Sequence, residues 1–177
     1  LPPGHLVAGW HAEFRRLRGY SLIPYLPVLT GMIVNSQEHS ERFIRDYYTT
    51  LSNLFRDNFY GTLHDLCHKN GLKWHSESGG PWHRKTATHF ANSAQFEFLA
   101  RNDMPQGEYW YGRKPSPEFN RPIGIAAHIY GRRLAAAEAF THMVQHWSAY
   151  PAVLKPCGDS AFLDGVNAAS IALMALV

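Results

Sequence analysis

Between Ser36 and Asn70 the apolar residues return at mostly three- and four-residue steps: Phe43, Ile44, Tyr47, Leu51, Leu54, Phe55, Leu63, Leu66 and Cys67. That rhythm predicts a helix with one buried face, and the Phe43, Tyr47, Leu51 and Leu54 side is expected to pack on a sheet. Ser36 or Ser40 can cap its start. Gly71 can take left-handed backbone and stop it. Gly61 kinks the helix or splits it in two. "LKWHS" then reads as a strand. A second helix is expected around Ala91–Arg101, and "DMPQGEYW" is short and strand-like. "RPIGIAAHIYG" and "RLAAAEAF" follow, separated by Gly131, and the run Leu134–Ala137 is ambiguous between strand and helix. A helix around Thr141–Ala149 and a last apolar stretch from Gly165 complete the pattern. The terminal "AASIALMALV" is too short for a membrane span of about 18 residues or more and reads as a buried element.

The strand candidates share one feature. Each closes on a polar side chain: Glu77, Glu108, Glu138 and Asn167, spaced 31, 30 and 29 positions apart. A (β/α)8 barrel spends about 250 residues on eight units, or roughly 31 per unit, and builds its active site at the C-terminal ends of its strands. A carboxylate repeated at that period is what such a site needs. Helix capping explains the glutamates poorly, because glutamate is a weak N-cap. Chance spacing among 14 acidic residues is the remaining alternative. The fold class expected is α/β: part of a (β/α)8 TIM-type barrel, roughly four βα units, in one partial domain covering residues 1–177. An open arc of that kind exposes strand edges, so the chain reads as a piece of a larger enzyme.

Composition narrows the functions. A length of 177 residues argues for one domain, and 45% hydrophobic residues supply its core. The net charge of +3 comes from scattered Lys and Arg, which argues against a nucleic-acid partner. The chain lacks a leader pattern and an initiator methionine, so it reads as a processed protein or a fragment. Cys67 and Cys157 can pair or stand free, and a buried thiol is the simpler reading of Cys67.

Paired carboxylates are the tools of glycoside hydrolysis: one protonates the leaving oxygen, the other activates water or attacks the sugar. Trp74, Trp82, Tyr109, Trp110 and Trp147 lie near the glutamates in sequence and can line a sugar pocket, or simply pack in the core. His64 with His68, and His142 with His146, stand four residues apart and could share a zinc ion on a helix face, although no third ligand is marked. Asp159 and Asp164 either bind calcium or solvate a loop. "ESGGP" lacks the Lys-Ser/Thr of a phosphate loop, and there is no nucleophile elbow for Ser-His-Asp chemistry.

The motifs "WHSESGGP", "MPQGEYW", "AAHIYGRRLAAAEAFT" and "HWSAYPAVLKPCGDSAFLDGVN" occur in that order, with "RRLRGYSLIPYLPVLTG" and "SERFIRDYYTTLSNLFRDNFYGTLHDLCHKNGL" upstream. Together they resemble the catalytic barrel of the α-L-rhamnosidases of glycoside hydrolase family 106, over roughly residues 10–167. The resemblance implies an inverting hydrolase acting on α-linked L-rhamnose in plant glycans or glycosides. It also implies a calcium ion at the sugar site and a longer parent chain holding the missing barrel half and β-rich accessory domains. By the same resemblance, Glu138 matches the general base. Glu108 matches a second active-site glutamate in contact with substrate or calcium. Glu77, His128, Trp110, Trp74 and Asn167 are pocket candidates. The substrate class suits a periplasmic or extracellular location. The family's general acid belongs shortly before a tryptophan that looks like Trp10, yet the first acidic residue here is Glu13. After "GVN" the expected basic residue and histidine-bearing strand are also missing. The alternative is therefore a non-catalytic barrel fragment that binds carbohydrate at most.

Overall fold

The computed structural model describes residues 9–77, 95–112, 117–141 and 148–171. The chain divides into two compact units, Leu1–Asp57 and Asn58–Val177. In the first, helix α1 (Trp10–Arg18), a 3₁₀ segment (Ile23–Thr30) and helix α2 (Gln37–Phe55) enclose an aromatic cluster. Trp10, Phe14, Leu22, Val28, Phe43 and Tyr47 are buried in it. Trp10 meets Tyr47 edge-on with ring centroids 5.4 Å apart, and Phe14 meets Tyr20 in the same way at 5.2 Å. The periodic face of α2, which its pattern suggested for a sheet, packs in this cluster: Leu51 and Leu54 lie against it beside Phe43 and Tyr47. The cap is Ser36, whose hydroxyl accepts from the His39 N–H at 3.2 Å. Ser40 instead donates to main-chain carbonyls at Val34 and Ser36. Gly61 marks a change of helix type within a continuous helical run. It closes a π-helical stretch, Arg56–Gly61, which passes directly into helix α3 (Thr62–Lys69). Gly71, at φ 70°, stops α3, with the Leu72 N–H returning to the Cys67 carbonyl.

The second unit holds the sheet. Strands β1 (His75–Ser76), β2 (Met104–Trp110), β3 (Ala136–Thr141) and β4 (Ala168–Ile171) lie side by side in chain order, all parallel. Helix α4 (Gln95–Leu99) precedes β2, α5 (Pro117–Ile129) joins β2 to β3, and α6 (Pro151–Leu163) joins β3 to β4. Sequential parallel strands joined through helices are the arrangement of successive βα units in a (β/α)8 barrel. Helix α4 ends at Leu99, two residues before the end of the expected Ala91–Arg101, and the first four positions of that expectation lie outside the described residues. Thr141 ends strand β3, and residues 142–147 of the helix expected around Thr141–Ala149 lie outside the described residues. Ser148–Tyr150 are irregular, and the following helix starts at Pro151.

The two faces of the sheet differ. Odd positions of β2 face the helices: Gly107 lies against Phe119, Asn120 and Ile123 of α5. Tyr109 joins Ala137, Ala139, Ala161 and Val166 in one cluster. Small side chains on β3 let the helices approach closely. Leu99, Ile123, Ala126, Ala127 and Ala135 form a neighbouring cluster. Even positions of β2, and the β3 positions level with them, face the other way.

Candidate functional site

That other face carries the carboxylates. The ladder pairs Glu108 with Glu138 directly, so the two glutamates are level on adjacent strands, about 4.8 Å apart along the hydrogen-bonding direction at their backbones. Glu108 is 7% exposed, and Glu138 is half-buried. Glu77 follows the last residue of β1. Carrying the register on from Ser76 and Pro105 places it beside Gln106, on the same face and two residues short of the Glu108 level. His75 shares this face, and its Nδ1 lies 2.7 Å from the Gln106 side-chain oxygen. Trp110, half-buried, ends β2 on the same side.

A bulge in β3 finishes the arrangement. Tyr109 pairs with Ala139, but Trp110 pairs with Thr141, leaving Phe140 as the extra residue. Phe140 takes φ 62°, a left-handed conformation rare for so bulky a residue. Its ring goes to the helix layer, edge-on to Tyr109 at 5.1 Å. Thr141 thereby reaches the carboxylate face, and its hydroxyl donates to Glu138 Oε1 at 3.1 Å. Sequence reasoning missed Thr141, because no glycine marks the bulge.

Three expected pocket residues lie elsewhere. Asn167 precedes β4 and does not end a strand. Its Oδ1 accepts from the Ala135 N–H at 2.9 Å, and its Nδ2 donates to the Arg133 carbonyl at 3.0 Å, so it ties the starts of β3 and β4 together. Ser170, three residues later, is the position level with Glu138. Trp74 precedes β1, where its N–H donates to Asp103 Oδ2 at 2.8 Å. His128 is exposed in the last turn of α5, the end from which the chain enters the start of β3. A helix joining parallel neighbours runs back along them, so His128, Trp74 and Asn167 belong to the N-terminal rim of the strands. Trp82, Trp147, His142, His146 and the Gly79–Gly80 turn lie outside the described residues.

Asp159 pairs with Lys155 at 2.6 Å and Asp164 with Arg121 at 3.0 Å, which accounts for both without an ion. Both cysteines are free. The Cys157 thiol donates to the Trp110 carbonyl at 3.5 Å, and burial pushes its pKa up. Among the described residues, no helix is long and apolar enough to cross a membrane. A groove of about 420 Å³ on the first unit, lined by Val28, Met32, Ile33 and Ile44 among others, holds none of Glu77, Glu108 and Glu138.

Two adjacent carboxylates, one buried and one bonded to a hydroxyl, can bind sugar hydroxyls, take a proton from water, or hold a hard cation. Comparison with known proteins places the chain among glycoside hydrolases. A family model described as alpha-L-rhamnosidase, of glycoside hydrolase family 106, matches residues 7–175. A rhamnosidase structure from Novosphingobium sp. PP1Y superposes with a TM-score of 0.76 at 30% identity, over 94% of this chain and 16% of that one. A protein of Formosa agariphila provisionally named beta-glucuronidase is 40% identical over 165 residues, which are 91% of this chain and 13% of the relative. The chain therefore spans less than a fifth of the length of either.

Proposed function

This chain belongs to glycoside hydrolase family 106, the α-L-rhamnosidases, and from that premise we propose that it supplies one wall of a site that removes terminal α-L-rhamnosyl groups with inversion. The observation that carries the reading is the level pairing of Glu108 and Glu138 on the face turned away from the helices. In this reading Glu138 is the general base. Its carboxylate takes a proton from a water as that water attacks the anomeric carbon from the side opposite the leaving oxygen. Thr141 is a positioning residue: its hydroxyl fixes one carboxylate oxygen, leaving the other to face the water. Glu108, Glu77 and Trp110 bind the sugar, the glutamates through hydroxyl groups and the indole through its apolar face. The general acid has no counterpart assigned among the described residues.

The donors also suit the calcium ion that the resemblance implies, since carboxylate oxygens are the ligands calcium takes. Glu108 would hold it, with Glu138 alongside. When bound, such an ion supplies positive charge that orients sugar hydroxyls. The same carboxylates favour a neutral deoxy sugar over a uronic acid. Among His75, Glu77, Gln106, Glu108, Trp110, Glu138 and Thr141 there is no Lys or Arg to receive a substrate carboxylate.

The test uses the longest natural polypeptide that contains these residues. It should cleave an aryl α-L-rhamnoside and release β-L-rhamnose first, as seen by proton NMR. Glu138→Gln should lower kcat by about 10²–10⁴-fold, because an amide takes no proton from water. Azide, which attacks without a base, should partly restore Glu138→Ala. Full activity in Glu138→Gln would remove Glu138 as the base. Cleavage of an aryl β-glucuronide with the rhamnoside untouched would overturn the substrate class.

A further inference from the structure

A second group of metal-binding side chains sits at the opposite rim. His64 and His68 stand one turn apart on α3, with ring centroids 4.0 Å apart. Asp103, on the turn entering β2, brings its Oδ2 to 2.8 Å from His68 Nε2. One donor atom from each of the three lies within 4.8 Å of the others. We propose that His64, His68 and Asp103 form a binding site for a divalent transition metal, zinc above all, that fastens α3 to the start of the sheet. This site is separate from the carboxylate face, and the proposal does not depend on the sugar chemistry.

The chemistry selects the ion. Two imidazoles and one carboxylate are donors that zinc takes in sites with three protein ligands, a water filling the fourth position. Calcium and magnesium want oxygen ligands and are excluded by the imidazoles. Bond lengths of about 2.0–2.2 Å set tetrahedral donors roughly 3.3–3.5 Å apart. The side chains must therefore close by about 1.5 Å at most, and the His68–Asp103 hydrogen bond must open slightly. His68, 45% exposed, has the room to make that adjustment.

The supports of a metal site are also present. Asp103 is held from two sides by main chain: Trp74 N–H donates to its carboxylate at 2.8 Å, and its own N–H donates to the Trp74 carbonyl at 2.9 Å. His64 Nδ1 lies 2.8 Å from the Asp65 carboxylate, a partner that selects the tautomer with its lone pair on Nε2. Burial alone would raise the Asp103 carboxyl pKa. The hydrogen bonds from His68 and the Trp74 N–H, with the neighbouring imidazoles, outweigh it and hold the group below its ordinary range. In a parallel βα architecture this rim serves stability, so the expected role is a staple and not a second active site.

The experiment titrates chelator-treated, dialysed protein with zinc sulfate by calorimetry, and with Co²⁺ by visible absorption. One zinc per chain, a Co²⁺ spectrum of tetrahedral intensity and a raised melting temperature are expected. His64→Ala and His68→Ala should each weaken binding tenfold or more, and the double variant should abolish it. Both leave the Asp103–Trp74 bonds in place, so folding is not at stake, and circular dichroism checks this. Hydrogen exchange on adding zinc should slow in Thr62–Lys69 and the start of β2. Zinc binding undiminished in the double variant, or no binding by the wild type, would overturn the proposal. So would displacement of zinc by equimolar calcium.

Discussion

Gly107 sits on β2 immediately before Glu108, with α5 pressed onto it. A Cβ at this position would lie 2.7 Å from the Phe119 carbonyl oxygen, 2.8 Å from Asn120 Oδ1 and 2.9 Å from Ile123 Cγ1. Ordinary contacts begin at 3.4 Å, so Gly107→Ala forces a separation of roughly half an ångström or more, against a backbone atom that cannot swing aside. Overpacking of this kind costs about 1–3 kcal/mol. Stiffening of the unfolded chain by alanine returns about 0.4–1 kcal/mol. A net loss of about 1–2 kcal/mol corresponds to roughly a 5- to 30-fold larger opening equilibrium. Hydrogen exchange read by mass spectrometry should show that acceleration in peptides covering Met104–Trp110 and Pro117–Ile129. Gly131→Ala is the control. Nothing lies within 4 Å of its Cβ, but its φ of +63° strains alanine by about 1–2 kcal/mol locally, leaving β2 protected. Unchanged protection of β2 in Gly107→Ala would refute the close approach of α5, and with it the account of which face Glu108 occupies.

Thr141→Val keeps the shape and removes the donor to Glu138. It should lower kcat about tenfold with KM little changed, and Thr141→Ser should recover most of the loss; equal rates in all three would reduce Thr141 to a packing residue. Burial pushes the Tyr60 hydroxyl pKa up to about 12, and burial likewise raises Tyr47 and Tyr109. A folded-state pKa above the unfolded 10.0 gives stability that is complete below pH 10 and lost as pH climbs towards 12. Melting temperature should therefore fall less between pH 10 and 12 in Tyr60→Phe than in the wild type, and parallel curves would contradict the burial of this hydroxyl.

The parallel order and the repeated βα unit were legible because helix–strand alternation leaves a period of about 31 residues in any such chain. Height on the strands was not legible, since loops of different length absorb the same spacing. Glu108 is the fifth residue of β2 and Glu138 the third of β3, yet they are level; Asn167, 29 positions on, falls before β4 begins. His128 and Trp74 misled for a related reason. They neighbour the glutamates in sequence, but half of every βα unit belongs to the far rim. Helix α6 hid behind Pro151, Pro156 and Gly158, which interrupt its apolar rhythm although Pro151 suits a first turn. Asp103 could not be tied to His64 and His68 from sequence, because 35 residues separate it from His68 and only the β1–β2 pairing brings them together.

The bulge shows how a local rule is broken where the site requires it. Strict alternation along "EAFT" would put Phe140 on the carboxylate face beside Glu138 and send Thr141 into the helix layer. That arrangement would set an apolar ring where water must reach the carboxylate and would bury a hydroxyl among apolar side chains. One extra residue reverses both. Left-handed backbone at Phe140 costs about 1–2 kcal/mol. Against this stands the edge-on pair with Tyr109, worth about 0.5–1.5 kcal/mol beyond simple burial. The ring also covers Gly158, whose absent side chain leaves room for it: a Cβ there would lie 3.3 Å from the ring tip. The hydrogen bond from Thr141 to Glu138 adds about 1 kcal/mol. The terms nearly cancel, so the bulge needs all of its partners. Removing the ring by Phe140→Gly would relieve the backbone strain and still fail to keep Thr141 in place, since nothing would then hold the extra residue on the helix side. That variant should lose activity together with Thr141→Val, and the double variant should be no worse than either alone.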